Sequence, residues 1–200
     1  HFIENSSKKI GGKAKAMVVT DSIVRAIDYY YAITKILKDM GSPYKAIVAF
    51  SGTKEYNGKE LTESIINGFP DKDTPKEFKK DEYRFLIVAD KYQTGYDEPL
   101  LHTMYVDKVL NDIKAVQTLS RLNRSAKNKI DTCVLDFAND PEQIEKSFQK
   151  YYKQTKLVRE TDPNKLYDIL SILESMDVYE EVQVQSVVEN FLNNKPREYN

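Results

Sequence analysis

The chain has 200 residues, a formal net charge of −1, 40% hydrophobic residues and a single cysteine. That composition supports one ordinary domain plus an appendage and excludes an internal disulfide. No apolar run is long enough to span a membrane and no signal peptide is evident, so a cytoplasmic setting is expected; a start at His1 reads as a piece of something longer.

Residues 1–13 are polar, carry Gly11-Gly12 and read as a linker or arm. The apolar run Ala16–Thr20 predicts a buried strand. Asp21-Ser22 supplies helix-capping chemistry, and Ile23, Ile27, Tyr30, Ile33 and Leu37 then recur at helical spacing until Gly41-Ser42-Pro43. Further strands are expected over 44–50, 84–89, 103–106 and 130–137. Between them, 51–59 reads as a loop, 61–69 as a short helix, 70–82 as a charged loop and 112–124 as a helix. Cys133 lies in an apolar run and is expected as a buried core thiol. Asp140-Pro141 opens a helix running to about residue 153. Strands alternating with helices predict an α/β parallel sheet covered on both faces, with ligands at the carboxyl ends of the strands. After Thr155 only helical patterns remain, Leu166, Ile169, Leu170 and Leu173 forming one and Val184, Val187, Val188 and Phe191 another. The domains are therefore expected as 1–13 arm, 14–155 sheet lobe and 156–200 helical tail.

Charge is unevenly spread. Lys108–Ile130 holds six Lys/Arg and one Asp, whereas Leu157–Asn200 holds four Lys/Arg and nine Asp/Glu. The middle can meet an anion and the tail cannot. Some motif-like stretches fail on chemistry. Gly52 to Lys59 resembles a phosphate-binding loop, but it has five residues between its glycines, and Glu60 stands where a magnesium-holding hydroxyl belongs. Asp71 with Glu77 and Lys79 has the residue types of a nuclease site crowded into one prolyl loop, which fits a charged surface better. His1, His102 and Cys133 make no metal site.

The pattern that carries chemistry is a pair of segments. The strand ending at Ala89 runs into Asp90-Lys91-Tyr92-Gln93-Thr94-Gly95-Tyr96-Asp97, where Gly95 permits a tight turn or a close approach of ligand to backbone. Some twenty residues on comes Gln117-Thr118-Leu119-Ser120-Arg121-Leu122-Asn123-Arg124. On a continuous helix Gln117, Arg121 and Arg124 share one face, two planar permanently charged forks suited to a phosphate chain.

In order, these segments resemble the second RecA-like lobe of a superfamily 2 helicase or translocase. Ala16–Asp21 is similar to motif IV, Asp90–Asp97 to motif V, and Gln117–Arg124 to motif VI, of form Gln-x-x-Gly-Arg-x-x-Arg. Ala49-Phe50-Ser51-Gly52 resembles a segment that touches the nucleic-acid backbone. The variants Lys91–Pro99, Met104–Lys108, Arg121-Leu122-Asn123-Arg124 and Leu135-Asp136-Phe137 together resemble the restriction (R) subunit of type I restriction–modification enzymes, over roughly residues 14–140. Thr94 and Ser120 depart from the general motifs, where arginine and glycine are usual. The Walker lysine and the Asp-Glu motif, which belong to the first lobe, are not in this sequence.

That resemblance implies half of an ATP-driven double-stranded DNA translocase within a restriction endonuclease. It implies Arg124 as the arginine finger with Arg121 beside it, and Gln117, Gly95 and Asp97 on the nucleotide. It further implies Thr20, Ser51, Gly52, Lys91 and Thr94 on DNA phosphates. ATP and Mg2+ would serve the complete subunit, with none expected on this chain alone. Implied partners are double-stranded DNA, the first RecA-like lobe and nuclease domain of the same subunit, and the modification and specificity subunits. Two other readings stay open: a lobe of another superfamily 2 helicase, and a non-catalytic module that binds nucleic acid or subunits through a basic helix and an acidic tail.

Overall fold

The structure, a computed structural model, describes residues 1–92, 95–157, 185, 186, 188 and 189. The chain divides into two compact units at Tyr152/Lys153, and the fold below is that of the first. The expected helical tail lies almost wholly outside the described residues.

The chain opens with a single π-helical turn, Phe2–Ser6, and a one-turn helix α1, Lys9–Gly12. Strand β1 (Lys15–Thr20) leads into helix α2 (Ile23–Asp39), and β2 (Lys45–Ala49) follows. A hairpin of β3 (Lys54–Tyr56) and β4 (Lys59–Leu61) precedes two short helices, α3 (Glu63–Asn67) and α4 (Thr74–Phe78). The chain continues through β5 (Tyr83–Ala89), β6 (Leu101–Asp107), α5 (Ile113–Leu119), β7 (Cys133–Asp136) and α6 (Pro141–Leu157). Five strands form one sheet in the order β2-β5-β1-β6-β7, every neighbouring pair parallel. This is the expected α/β, RecA-like arrangement.

Side-chain alternation along the strands builds two core layers. Met17, Val19, Leu86, Val88, Met104 and Val106 face one layer with Phe78, Ala115, Leu119 and Leu122. Ala16, Val18, Phe85, Ile87, Ala46 and Val48 face the other with Ala26, Ile27 and Leu37 of α2. Ser22 caps α2 by accepting from the Arg25 N–H at 3.3 Å, as its position predicts. Asp140 likewise opens α6, its carboxylate accepting from the Glu142 N–H.

Several segments differ from their sequence reading. Residues 1–13, expected as an arm, are folded onto the sheet. Phe2 packs edge-on against Phe85 with ring centroids 4.9 Å apart, and Ile10 is buried in the same layer. The loop expected over 51–59 contains β3, the turn and the first residue of β4 of a hairpin. Its turn is Asn57-Gly58, both at positive φ, the type I′ pair that matches strand twist. The charged loop expected over 70–82 holds α4, with a proline in its first turn. Cys133 is only half-buried, because β7 is the edge strand.

The carboxyl end of α4 is held by a buried cation. Lys15 is fully buried, and its ammonium donates to the carbonyls of Phe78, Lys80 and Tyr83, the last two at 2.9 Å. These include carbonyls that a helix end leaves without intrahelical partners. The Phe78 ring lies 4.6 Å away. Burial lowers the Lys15 pKa to about 8, with the carboxylate of Glu98 working against that shift.

Candidate functional site

Strand register determines where the two motif segments meet. Thr20 pairs with Ala89 and Asp107 at one edge of the sheet, while Lys15 pairs with Leu101 at the other. The chain leaving β5 at Asp90 must therefore cross the sheet before entering β6 at Leu101. It crosses over the α5-covered layer, where Tyr92 and Tyr96 pack on the core with ring centroids 5.0 Å apart. Burial raises both phenols, Tyr92 to about 12 and Tyr96 further, so both stay neutral at physiological pH. Asp90 and Tyr92 are non-glycine residues in left-handed conformation on either side of Lys91. Strain of that kind, in a segment held at both ends, is characteristic of functional loops.

At the far end of this crossing the arginines arrive. The helix expected over 112–124 ends as α5 at Leu119. Ser120–Asn123 form a 3-10 turn, and Arg124 is extended, with ψ 130°. Gln117, Arg121 and Arg124 thus do not share one helical face; Gln117 alone remains on α5, exposed. The Ser120 hydroxyl donates to the Gln117 carbonyl at 3.3 Å, the kind of local bond with which serine competes against helix continuation. The break turns both guanidiniums toward the crossing segment. Arg121 donates to the Tyr96 carbonyl, and Arg124 Nε lies 3.1 Å from Asp97 Oδ1. Burial lowers the Arg121 pKa, with the charge of Arg124 adding to the shift and Asp97 opposing it.

Gly95, two residues before Asp97, adopts φ +73° with open space where a Cβ would stand, so backbone conformation is what requires glycine there. Lys129 donates to the carbonyls of Pro99 at 3.1 Å and Arg124 at 2.9 Å, fastening the arginine segment to the chain entering β6. Arg121, Arg124, Tyr96 and Asp97 are accordingly gathered toward the amino end of β6, not at the carboxyl edge where the parallel sheet led us to expect them.

The described residues expected on nucleic acid, Thr20, Ser51, Gly52 and Lys91, lie at the carboxyl edge and differ in availability. Ser51 and Gly52 are exposed after β2, Gly52 at φ +83°. Thr20 is fully buried, and its hydroxyl donates to the carbonyls of Val88 at 3.1 Å and Ser22 at 3.0 Å. Its hydroxyl bonds β1 to the neighbouring strand β5 and does not face solvent. Lys91 is mostly covered, its ammonium 2.7 Å from Glu63 Oε2. Thr94 lies outside the described residues.

Glu63 was not singled out in the sequence. It is fully buried, and its Oε2 also accepts from the Phe50 N–H at 3.0 Å, while Oε1 accepts from the Thr74 hydroxyl at 2.5 Å. The sequence signal was a lone carboxylate among the apolar residues of 61–66, directly after the capping residue Thr62.

A guanidinium pair beside an exposed carboxylate and a turn of bare backbone can receive a chain of phosphates. Among the described residues, no group of three His, Cys, Asp or Glu could hold a metal ion. No described helix is long and apolar enough to cross a membrane.

Residues 59–139 match the family described as type I restriction enzyme subunit R domain 3. The chain is 32% identical over 164 residues to the putative type I restriction enzyme MjaIXP endonuclease subunit of Methanocaldococcus jannaschii, a match covering 80% of this chain and 15% of that protein. It is 27% identical to the SauMRSORF196P endonuclease subunit of Staphylococcus aureus, over 64% of this chain and 17% of the relative. It is 25% identical to the HindI endonuclease subunit of Haemophilus influenzae, over 71% and 14%. The chain therefore spans about a sixth or less of the length of these relatives. Among solved structures, the C-terminal part of the Fun30 ATPase domain aligns with a TM-score of 0.44 at 14% identity, covering 74% of this chain and 43% of that one; likeness at that level carries no argument.

Proposed function

Because this chain belongs with the endonuclease (R) subunits of type I restriction enzymes, we propose that it is the second motor lobe of their ATP-dependent double-stranded DNA translocase. The observation that carries this reading is the convergence of Arg121 and Arg124 on Tyr96 and Asp97. Two segments some twenty-five residues apart, each resembling a motor motif, meet through a guanidinium–carbonyl bond and an ion pair.

On this reading the residues of this site would face ATP and Mg2+ held against the first lobe, and the chemistry supplied there would be passage of the terminal phosphoryl group to water with ADP as the leaving group. Arg124 presents its fork to the terminal phosphate and stabilises negative charge as the bond breaks. Arg121, anchored on the Tyr96 carbonyl, holds the adjacent turn. Gly95 and Asp97 complete the nucleotide side, and Gln117 on α5 orients the nucleotide or the attacking water. Ser51 and Gly52 offer a hydroxyl and backbone N–H groups to DNA phosphates, contacts that position without reading sequence. Lys91 adds an ammonium, and Thr94 a hydroxyl in this scheme. The first lobe, the nuclease domain and the modification and specificity subunits are the partners, in the cytoplasm.

The test is Arg124→Lys in the complete subunit. Lysine keeps the charge but supplies a compact, strongly hydrated point in place of a planar fork. DNA-dependent ATP turnover is expected to fall about 10³-fold with thermal unfolding unchanged. Turnover within a few-fold of wild type removes Arg124 from the finger role. A collapse in melting temperature instead makes it a structural residue.

A further inference from the structure

Helix α3 lies along the free edge of β2, and its side chains satisfy that edge. The Asn67 amide accepts from the Val48 N–H at 3.0 Å and donates to the Val48 carbonyl at 2.7 Å, mimicking a missing strand. Two residues along, the Phe50 N–H points the same way and is taken by Glu63. Glu63 does more than close the edge, since the same carboxylate oxygen holds the Lys91 ammonium and the other holds the Thr74 hydroxyl. One buried carboxylate thus joins the end of β2, the start of α4 and the first residues of the crossing segment. Ser51 and Gly52 follow Phe50 directly, and Lys91 follows the left-handed Asp90, itself paired with Lys108. Both phosphate-facing groups at the carboxyl edge are placed from this one atom group.

A buried carboxylate is retained at a cost unless its partners compensate. Glu63 has three donors, so its charge is accommodated. The Lys91 ammonium has three protons and spends one here. Held in this way it keeps donors for a phosphate arriving from solvent, and it does not have to be ordered when that phosphate binds.

We propose that Glu63 is the positioning residue of the DNA-backbone surface, fixing Lys91 and the Ser51–Gly52 turn for phosphate contact. The inference rests on the motor-lobe reading. Its test uses the complete enzyme with Glu63→Gln, Lys91→Gln and the double variant, measuring ATP turnover against DNA concentration, salt dependence and thermal unfolding. Glutamine still accepts from the Phe50 N–H but, being neutral, loses the charge attraction that holds the ammonium. Glu63→Gln is expected to raise the half-saturating DNA concentration about tenfold, the scale of one charge-assisted contact, with maximal turnover within about threefold. The double variant is expected to match Lys91→Gln, since glutamine keeps the Phe50 bond that places Ser51–Gly52 and only the hold on Lys91 is lost. Tighter DNA binding with a steeper salt dependence overturns the proposal, because Glu63 would then merely mask a charge. Loss of stability and maximal turnover with unchanged DNA half-saturation overturns it in favour of a purely structural role. A wild-type enzyme whose turnover ignores DNA overturns the motor reading and this inference together, which sets that failure apart from the other two.

Discussion

At the scale of single residues, availability decides function more than residue type. Thr20 and Ser51 are both hydroxyl residues at strand ends, yet one is sealed between β1 and β5 and the other faces solvent. Thr20→Val keeps the shape and removes a buried hydrogen bond. It is expected to cost about 1 kcal/mol in denaturant unfolding while leaving DNA affinity unchanged. A clear loss of DNA affinity without loss of stability would return Thr20 to the phosphate surface. Asp97 and Arg124 are both more than half exposed, so their ion pair contributes little to stability. On the proposed function its role is orientation, holding the guanidinium against the crossing segment until a phosphate takes the place of the carboxylate.

At the scale of elements, the informative places are where one ends. α5 stops at Leu119, and only that stop lets Arg121 and Arg124 reach the crossing segment. α4 ends on the Lys15 ammonium, a partner from β1. This contact has a pH signature. The folded pKa is about 8 and the ordinary value 10.5, so between them the folded chain has released a proton that the unfolded chain still binds. The unfolded state binding more protons means stability from this group rises with pH across that window, and is lost as pH falls through 8. The buried tyrosines pull the other way above pH 10, Tyr92 and Tyr105 both being raised to about 12. The measurement is therefore the difference in unfolding free energy between wild type and Lys15→Met from pH 7 to about 10. That difference is expected to shift in favour of wild type as pH rises. A flat difference would show that the three carbonyls hold the proton against burial.

At the scale of the whole molecule, one segment crossing the sheet separates two sets of groups. Ser51, Gly52 and Lys91 gather at the carboxyl edge, and Asp97, Arg121 and Arg124 toward the amino end of β6. On the proposed function these are the DNA side and the nucleotide side. The net charge of −1 hides a local excess of lysine and arginine over Lys108–Ile130. The chain by itself is accordingly expected to bind DNA weakly and without sequence preference, each phosphate contact adding about −0.9 to the slope of log affinity against log salt. Affinity that holds steady with salt, or depends strongly on sequence, would remove the assigned surface. ATP turnover by the chain alone is not expected, since the sequence carries no Walker lysine; turnover abolished by Arg124→Ala would overturn that.

The sequence by itself determined the alternation of strands and helices, the capping of α2 and α6, and the order of the motif-like segments. These are local properties: apolar period, a capping hydroxyl or carboxylate, a proline or glycine at a boundary are each written within a few residues. The Asn57-Gly58 hairpin is equally local, since that dipeptide by itself favours the type I′ turn. Contacts between residues far apart in the chain are settled by the fold alone. Thr20 loses its hydroxyl to a carbonyl sixty-eight positions away, and Lys91 is claimed by a carboxylate twenty-eight positions away. Beyond the end of α5, Arg121 finds the carbonyl of Tyr96, twenty-five positions away in another segment. A helical period places side chains on a face only while the helix continues. At the end of α5 the local Ser120–Gln117 bond competes with the helix, while the partners that the released arginines reach, Tyr96 and Asp97, come from a distant segment and are not encoded in residue spacing.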